Sequence, residues 1–557
     1  MTLRAHLLAK PVFLALVAAS ALACEPGAPK TDSQTNWLRS CQIDAQCEDD
    51  LACFCGVCTR PCEQGESCSG LDGSECVPSS DSGTVAVCGG EPSTSAGLCL
   101  PRCEDGSCAP GQMCVSGVCS PVPSTNARVA VDLSTRYQAL IGLGATVGYA
   151  EDDIVNHPQK AAFYDAMFGE LGIDLLRLRV RNAAGAGMLE PASEILAEAE
   201  QSLGRLPTLL VSSWSPPATL KLSGATNCQG NADTCTLSRT SSGEFDYAGF
   251  ADYWRTSLDD YATAGIFPDY IGIQNNPDWV PAASEVGEAC KFLPVEGTAT
   301  ATVNGVEVEI EYPGFAEALE AVQGAMVGLA SPPQIMAPEV SGASVVADYA
   351  AALDLSRVDA IAHHLYGTDP ATLNVAAFED LNALGAGYDL PLFQTEMQAD
   401  GFGTAVLLHH TLAIEGAAVY VQTALASAAS GPYANPKALF GYEADSFTRQ
   451  EPYYAFRHYA LDTEPGFVRV GALSTAPDLL ASAWLSPDES ALTLVLVNSG
   501  RGTLDVELDL GSASGGTSTV TRTVFDGIER SAELGSLSEA NVVEVPSRAV
   551  VTIAIRN

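Results

Sequence analysis

From residue 139 to residue 422 the chain repeats one unit, a short apolar run that closes on polar residues and is followed by a stretch with helical spacing. Eight such runs are legible: Ala139 to Thr146, Ile173 to Asn182, Pro207 to Ser213, Tyr270 to Val280, Gln334 to Glu339, Val358 to Tyr366, Leu390 to Met397 and Gly416 to Gln422. Strands alternating with helices imply a parallel sheet, because a parallel connection needs a crossover long enough to hold a helix. Polar groups crowded at the C-terminal ends of strands are where a (β/α)8 barrel places its chemistry. The two richest ends here are Gln274-Asn-Asn-Pro-Asp278 and Gln394-Thr-Glu396. The steps Tyr247, Phe250, Trp254, Leu258 and Tyr261 predict a helix ahead of the fourth strand that stops at Gly265.

A chain of 557 residues holds more than one barrel. After about residue 463 the helical spacing gives way to alternating runs at Gly466 to Leu473, Leu480 to Trp484, Ala491 to Asn498, Leu504 to Leu510, Ser518 to Val524 and Val542 to Ile555. Separated by Gly, Ser, Asp and Pro turns, they predict a β-sandwich over residues 463–557. Arg128 to Leu133 reads as a further strand of it, so residues 127–139 of the barrel segment 127–462 join the sandwich.

The N-terminal part is of another kind. Arg4 and Lys10 flank an apolar run that leads to Ala21-Leu-Ala-Cys24, the order of a secretory leader over residues 1–23. Cys24 stands where a bacterial lipoprotein carries its lipid; ordinary cleavage and secretion is the other outcome. The run is too short to span a bilayer, so the only membrane contact expected is a lipid anchor, on the outer membrane or cell surface. Residues 24–40 are a polar tether. Residues 41–120 hold fourteen of the chain's eighteen cysteines in two related repeats, Cys47 to Cys68 and Cys99 to Cys119. A segment so poor in large apolar residues must be crosslinked rather than packed, which needs an oxidising compartment. It has no histidine and an even number of cysteines, which favours disulfides over metal, with the pairing left open. Residues 121–126 are a linker.

The formal net charge of −41 opposes contact with nucleic acid or anionic lipid and leaves a neutral polymer an easy partner, without naming one. Two insertions follow the third and fourth strands. Cys228 and Cys235 are expected to staple the first by a disulfide, and Asn304-Gly305 within alternating residues marks a hairpin in the second. Cys290 has no evident partner.

Taken in order, Gly142-x-Gly144, Arg177-x-Arg179, Ser213-Trp-Ser-Pro-Pro217 with Lys221, Gln274-Asn-x-Pro-Asp278, Ala337-Pro-Glu339, His363-His-Leu-Tyr366, Gln394-Thr-Glu396 and Pro465-Gly-Phe-Val-Arg469 resemble glycoside hydrolase family 30 over residues 127–557. The resemblance implies an α/β fold, a (β/α)8 TIM barrel with an associated β-sandwich, here preceded by a small disulfide-rich module. It also implies a retaining hydrolase of β-linked polysaccharides or oligosaccharides, xylan-like or glucan-like, that uses no cofactor or metal.

Retaining hydrolysis needs two carboxyl groups, one to attack the anomeric carbon and one to protonate the leaving oxygen. By resemblance Glu396 is the nucleophile, and Arg177 and Arg179 hold it ionised. Asn275 reaches a sugar hydroxyl, and His364, Trp214, Trp279, Tyr366 and Tyr442 contact sugar. The acid/base position is occupied by Asn276, which cannot cycle a proton. Three readings follow: a slow or altered hydrolase with its acid elsewhere, Glu339 and Asp278 being candidates; a hydrolase for substrates whose leaving group needs no acid; or a catalytically disarmed, carbohydrate-binding surface lipoprotein.

Overall fold

The computed structural model describes residues 126–556, apart from 182–185, 229, 282–286, 304–305 and 501, together with short pieces of residues 52–121. The leader, Cys24 and the tether lie outside the described residues. The chain divides between Val122 and Pro123 into two compact units. Among the described residues no helix is long and apolar enough to cross a membrane.

In the first unit, Pro61–Glu63, Ser74–Pro78 and Ala96–Pro101 form a three-stranded sheet crosslinked by Cys62–Cys76 and Cys68–Cys99. The sulfurs of Cys62, Cys68 and Cys99 gather as metal ligands would, but all three belong to these disulfides. The sequence repeat reappears as two hairpins, with Cys53 opposite Cys58 in one and Cys114 opposite Cys119 in the other.

In the second unit, eight parallel strands close into a barrel: β1 (Gly142–Thr146), β2 (Leu175–Arg179), β3 (Thr208–Ser212), β4 (Tyr270–Gly272), β5 (Gln334–Val340), β6 (Ala360–His364), β7 (Leu392–Met397) and β8 (Val419–Gln422). Each lies within its predicted run, β5 reaching one residue further, and most are shorter, because the polar ends leave the hydrogen-bonded ladder to become loops. Alternation along the strands sorts the residues into layers. Leu175, Leu210, Met336, Ala360, Ala362, Phe393, Val419 and Val421 fill the lower interior, while Leu176, Leu178, Leu209, Val211, Ile271, Ile335, Ile361 and Leu392 face the helices. Two residues on from Leu175, Leu210 and Ala362, the same inward face presents Arg177, Ser212 and His364.

The predicted helix runs Tyr247–Thr263. Asp246 caps it by accepting the Gly249 N–H at 2.9 Å, and Phe250, Trp254, Leu258 and Tyr261 are buried. Gly265, at φ +77, ends it in a conformation that favours glycine. A disulfide joins Cys228 and Cys235, and Cys290 is a buried free thiol. Gly297–Val303 and Val306–Tyr312 pair as the expected hairpin, whose Asn304-Gly305 turn lies outside the described residues.

The sandwich region is one curled nine-stranded sheet. Asn126–Ala139 lies within it, antiparallel to Val468–Ser474 and parallel to Leu504–Asp509. The run Val542 to Ile555, expected as a single strand, is two: Val542–Val545 pairs with Leu504–Asp509, and Ala549–Arg556 pairs with Ala491–Asn498. Pro546 carries no N–H for the ladder, and Arg548 turns at φ +50, so pairing breaks between them. Ala532–Gly535, not foreseen, adds an edge strand beside Thr517–Val524.

Alternation also ties this sheet to the barrel. Trp484, Val495, Val497 and Val550 belong to the barrel's apolar cluster, whereas Leu494, Leu496, Val551 and Ile553 pack inside the sheet's own. The helix Glu451–Ala460 lies at this junction, and its His458 is buried between two strands. Thr552 Oγ1 donates to the His458 carbonyl at 2.8 Å, so ring Nδ1–H donates to Thr552 Oγ1 at 2.8 Å and Nε2 accepts from Thr523 at 2.9 Å. That arrangement suits only the neutral ring, and burial lowers the His458 pKa from 6.5 to about 3. The unfolded chain therefore binds a proton that the folded chain refuses, and stability falls as pH drops from 6.5 toward 3. Urea unfolding followed against pH should show this loss, and His458→Gln should flatten part of it.

Candidate active site

The upper interior of the barrel is organised by Arg177, which is fully buried. A buried guanidinium must find acceptors for its donors, and four neighbouring strands or strand ends supply them. Nη1 donates to Glu396 Oε2 at 2.7 Å, Nη2 to Asn275 Oδ1 at 2.6 Å and to Glu339 Oε1 at 3.0 Å, and Nε to Ser212 Oγ at 3.2 Å. The guanidinium also lies 4.5 Å from the centre of the Trp214 ring, a cation–π contact.

Glu396, at the end of β7, receives a second bond from Tyr366 OH to Oε1 at 2.6 Å. Burial and the Glu396 charge raise the Tyr366 pKa, so the phenol keeps its proton and acts as a donor. Of the two arginines on β2, Arg177 alone holds the carboxylate. Arg179, expected beside it, sits one inward step further along β2 and pairs instead with Glu288 Oε2 at 3.4 Å. Gln394 and Thr395 do not orient Glu396 either: Gln394 Oε1 accepts the Val421 N–H at 3.1 Å, and Thr395 donates to the His363 carbonyl at 3.4 Å.

Glu339 is a second carboxyl on the same guanidinium, fully buried, with Ser212 donating to its Oε1 at 2.9 Å. Burial pushes its pKa up, against the Arg177 charge and the Ser212 hydrogen bond. A Cβ on Gly272 would collide with Glu339 Oε2, so only glycine fits there. With no exposed surface, Glu339 cannot reach a substrate and is a poor substitute acid. Asp278 is also committed elsewhere, since the Ser341 N–H donates to its Oδ1 at 2.8 Å and the Ser341 hydroxyl to Oδ2.

Asn276 adopts φ +46, in the left-handed region that asparagine tolerates better than most residues, and its N–H donates to the Glu339 carbonyl at 3.0 Å. His364 is buried, and desolvation together with the Arg177 charge holds its pKa well below 6.5. The neutral ring donates from Nδ1 to Asn276 Oδ1 at 2.8 Å. The pinned amide has donors but no proton to release. His363, on the opposite face of β6, pairs with Glu415 at 2.7 Å outside the site.

Of the aromatics expected to meet sugar, Trp214 and Tyr366 flank Arg177 and Glu396. Trp279 packs with the Cys228–Cys235 disulfide and Ala289, and Tyr442 donates its hydroxyl to Asp153 at 2.5 Å. Neither bonds Glu396. Two residues at the rim were not foreseen from the sequence. Tyr149, 60% exposed, lies under the Arg179 guanidinium at 4.1 Å and donates to Glu288 Oε2 at 3.0 Å. Its one signal was an aromatic directly after a glycine turn in the loop that follows β1. Glu288 had no signal beyond its place in an insertion.

Arg177→Met would leave two buried carboxyls without a counter-charge. It should lower the free energy of urea unfolding by about 3 to 5 kcal/mol, and Glu339→Gln added to it should recover part of that loss.

No family model and no curated relative matches the sequence. Solved structures do match. A glycoside hydrolase family 30 endoxylanase from Clostridium papyrosolvens aligns at 18% identity and a TM-score of 0.57, covering 77% of this chain and 100% of that one. A conserved exported protein from Bacteroides fragilis aligns at 15% identity and 0.61, again over 77% and 100%. An endo-beta1,6-glucanase aligns at 13% identity and 0.56, over 79% and 96%. At such identities the likeness is one of fold, and with the closed barrel and its attached sheet it identifies residues 123–557 as a glycoside hydrolase family 30-like fold.

Proposed function

We propose that the chain is a retaining β-glycoside hydrolase of the family 30 kind, exported as a lipoprotein through Cys24 and acting on a neutral β-linked polysaccharide, xylan-like or glucan-like. The observation that carries the reading is Glu396 at the end of β7, held at 2.7 Å by Arg177 and 2.6 Å by Tyr366. Arg177 is bonded in turn to Asn275, at 2.6 Å, on the loop after β4. A carboxylate fixed by two donors in the barrel mouth, its side chain still 8% exposed, suits attack on an anomeric carbon. Endoxylanase and endo-beta1,6-glucanase neighbours support a β-glycan substrate. A neutral one is favoured because the formal net charge of −41 opposes an acidic polymer.

In this reading Glu396 displaces the leaving oxygen to form a glycosyl-enzyme, Arg177 and Tyr366 aim its two oxygens, Asn275 contacts sugar, Trp214 lines the cleft, and the buried His364 acts through Asn276 by holding its amide. Position 276 supplies only a neutral amide, so cleavage of unactivated polymer depends on a proton donor from elsewhere or is slow. The competing reading, a disarmed carbohydrate-binding surface protein, is favoured by that same amide.

A fluoro-glycoside with an activated leaving group should label Glu396 covalently, as located by peptide mass spectrometry, and Glu396→Gln should lower hydrolysis by roughly 10⁴-fold or more. A protein that binds polymer but never labels would establish the binding reading instead. For the anchor, Cys24→Ala should shift the protein from the membrane to the soluble fraction and end incorporation of labelled palmitate. Unchanged fractionation would exclude lipidation.

A further inference from the structure

We infer that Glu288, on the insertion after β4, supplies the proton transfer that Asn276 cannot; this rests on the hydrolase reading above. Three observations place Glu288 at the right part of the cleft. First, Arg179, which binds it, is the next inward residue after Arg177 on β2, and one such step is about 7 Å. Glu288 thus stands one level nearer the mouth than Arg177, whose guanidinium reaches Glu396 at the end of β7. Second, the Tyr149 phenol donates to Glu288 Oε2 at 3.0 Å while its ring lies 4.1 Å from the Arg179 guanidinium, so the three side chains form one cluster at the rim. Third, the chain segment is anchored over the Asn276 turn. The Trp279 N–H donates to the Asn276 carbonyl at 3.1 Å, and a Cβ on Gly287 would lie 3.4 Å from the Trp279 ring.

Glu288 is also rigidly held and still accessible. Its backbone bridges to Asn227, beside the Cys228–Cys235 disulfide, and the Ala289 N–H donates to the Thr226 carbonyl at 3.2 Å. Its side chain keeps 18% of its surface exposed. Among the described residues both partners bind Oε2, at 3.0 and 3.4 Å, which leaves Oε1 for a proton. In the first step the Glu288 carboxyl gives that proton to the glycosidic oxygen as its bond to the anomeric carbon breaks and Glu396 bonds that carbon. In the second, the Glu288 carboxylate takes a proton from water while the water oxygen attacks the anomeric carbon and releases Glu396. One glycosidic bond and one water become two hydroxyl products. Because Glu288 must carry its proton at the start of each turnover, cleavage of polymer should fall toward high pH.

The test is Glu288→Gln in the full mature chain, assayed on β-xylan and β-glucan and on dinitrophenyl glycosides of the same sugars. Polymer cleavage should fall about 10² to 10⁴-fold. A burst of dinitrophenol and labelling at Glu396 should survive, turnover should be restored by azide with a glycosyl azide as product, and the fall of activity toward high pH should disappear. Polymer cleavage within about twofold of the parent overturns the proposal while leaving the hydrolase reading intact. Equal loss of polymer cleavage and of Glu396 labelling, without azide rescue, assigns Glu288 a structural part only and overturns it too. A parent protein that neither labels at Glu396 nor cleaves either substrate ends both readings.

Discussion

The site depends on one buried cation. Arg177 sits where the barrel's apolar floor ends, out of reach of water, and each of its donors must be matched by the protein or its desolvation goes uncompensated. Glu396, Glu339, Asn275 and Ser212 match four of its five N–H groups, and Trp214 covers the guanidinium face. Those demands propagate outward. Because Glu339 must lie flat against β4, position 272 must be glycine. One guanidinium thereby serves two carboxyls, the fully buried Glu339 and the Glu396 that ends β7.

The end of β4 shows the opposite electrostatic character. His364 is held neutral by burial and by Arg177, and a neutral ring bonded to a neutral amide creates no charge that could shuttle a proton. Proton transfer is thus better placed further up the mouth, where Arg179, Tyr149 and Glu288 form a separate and partly solvated cluster.

The sheet is more than an appendage. Its strands contribute Trp484, Val495, Val497 and Val550 to the barrel's core on one face and close a second core on the other, so each face is covered by apolar contact. His458 ties the last barrel helix to two sheet strands through the neutral form of its ring. Barrel and sheet therefore share both packing and a pH dependence.

Periodicity alone located all eight barrel strands, the helix before β4 and most of the sheet, since side-chain direction alternates with period two whatever the partner. Glu396 and the amide at position 276 were legible too, because polar residues crowded at the end of an apolar strand are costly to bury unless a site uses them. Strand pairing was not: nothing local shows that Asn126–Ala139 lies between strands beginning at Val468 and Leu504, or that Pro546 divides one apolar run between two neighbours. Arg177 and Arg179 share a face of β2 and look alike in sequence. Only the height of each above the barrel floor, set by the register of β2 against β3, decides that the first meets Glu396 and the second Glu288. Tyr149 and Glu288 lie 139 residues apart on two loops, and contact between loops is fixed by barrel closure rather than by anything in either segment.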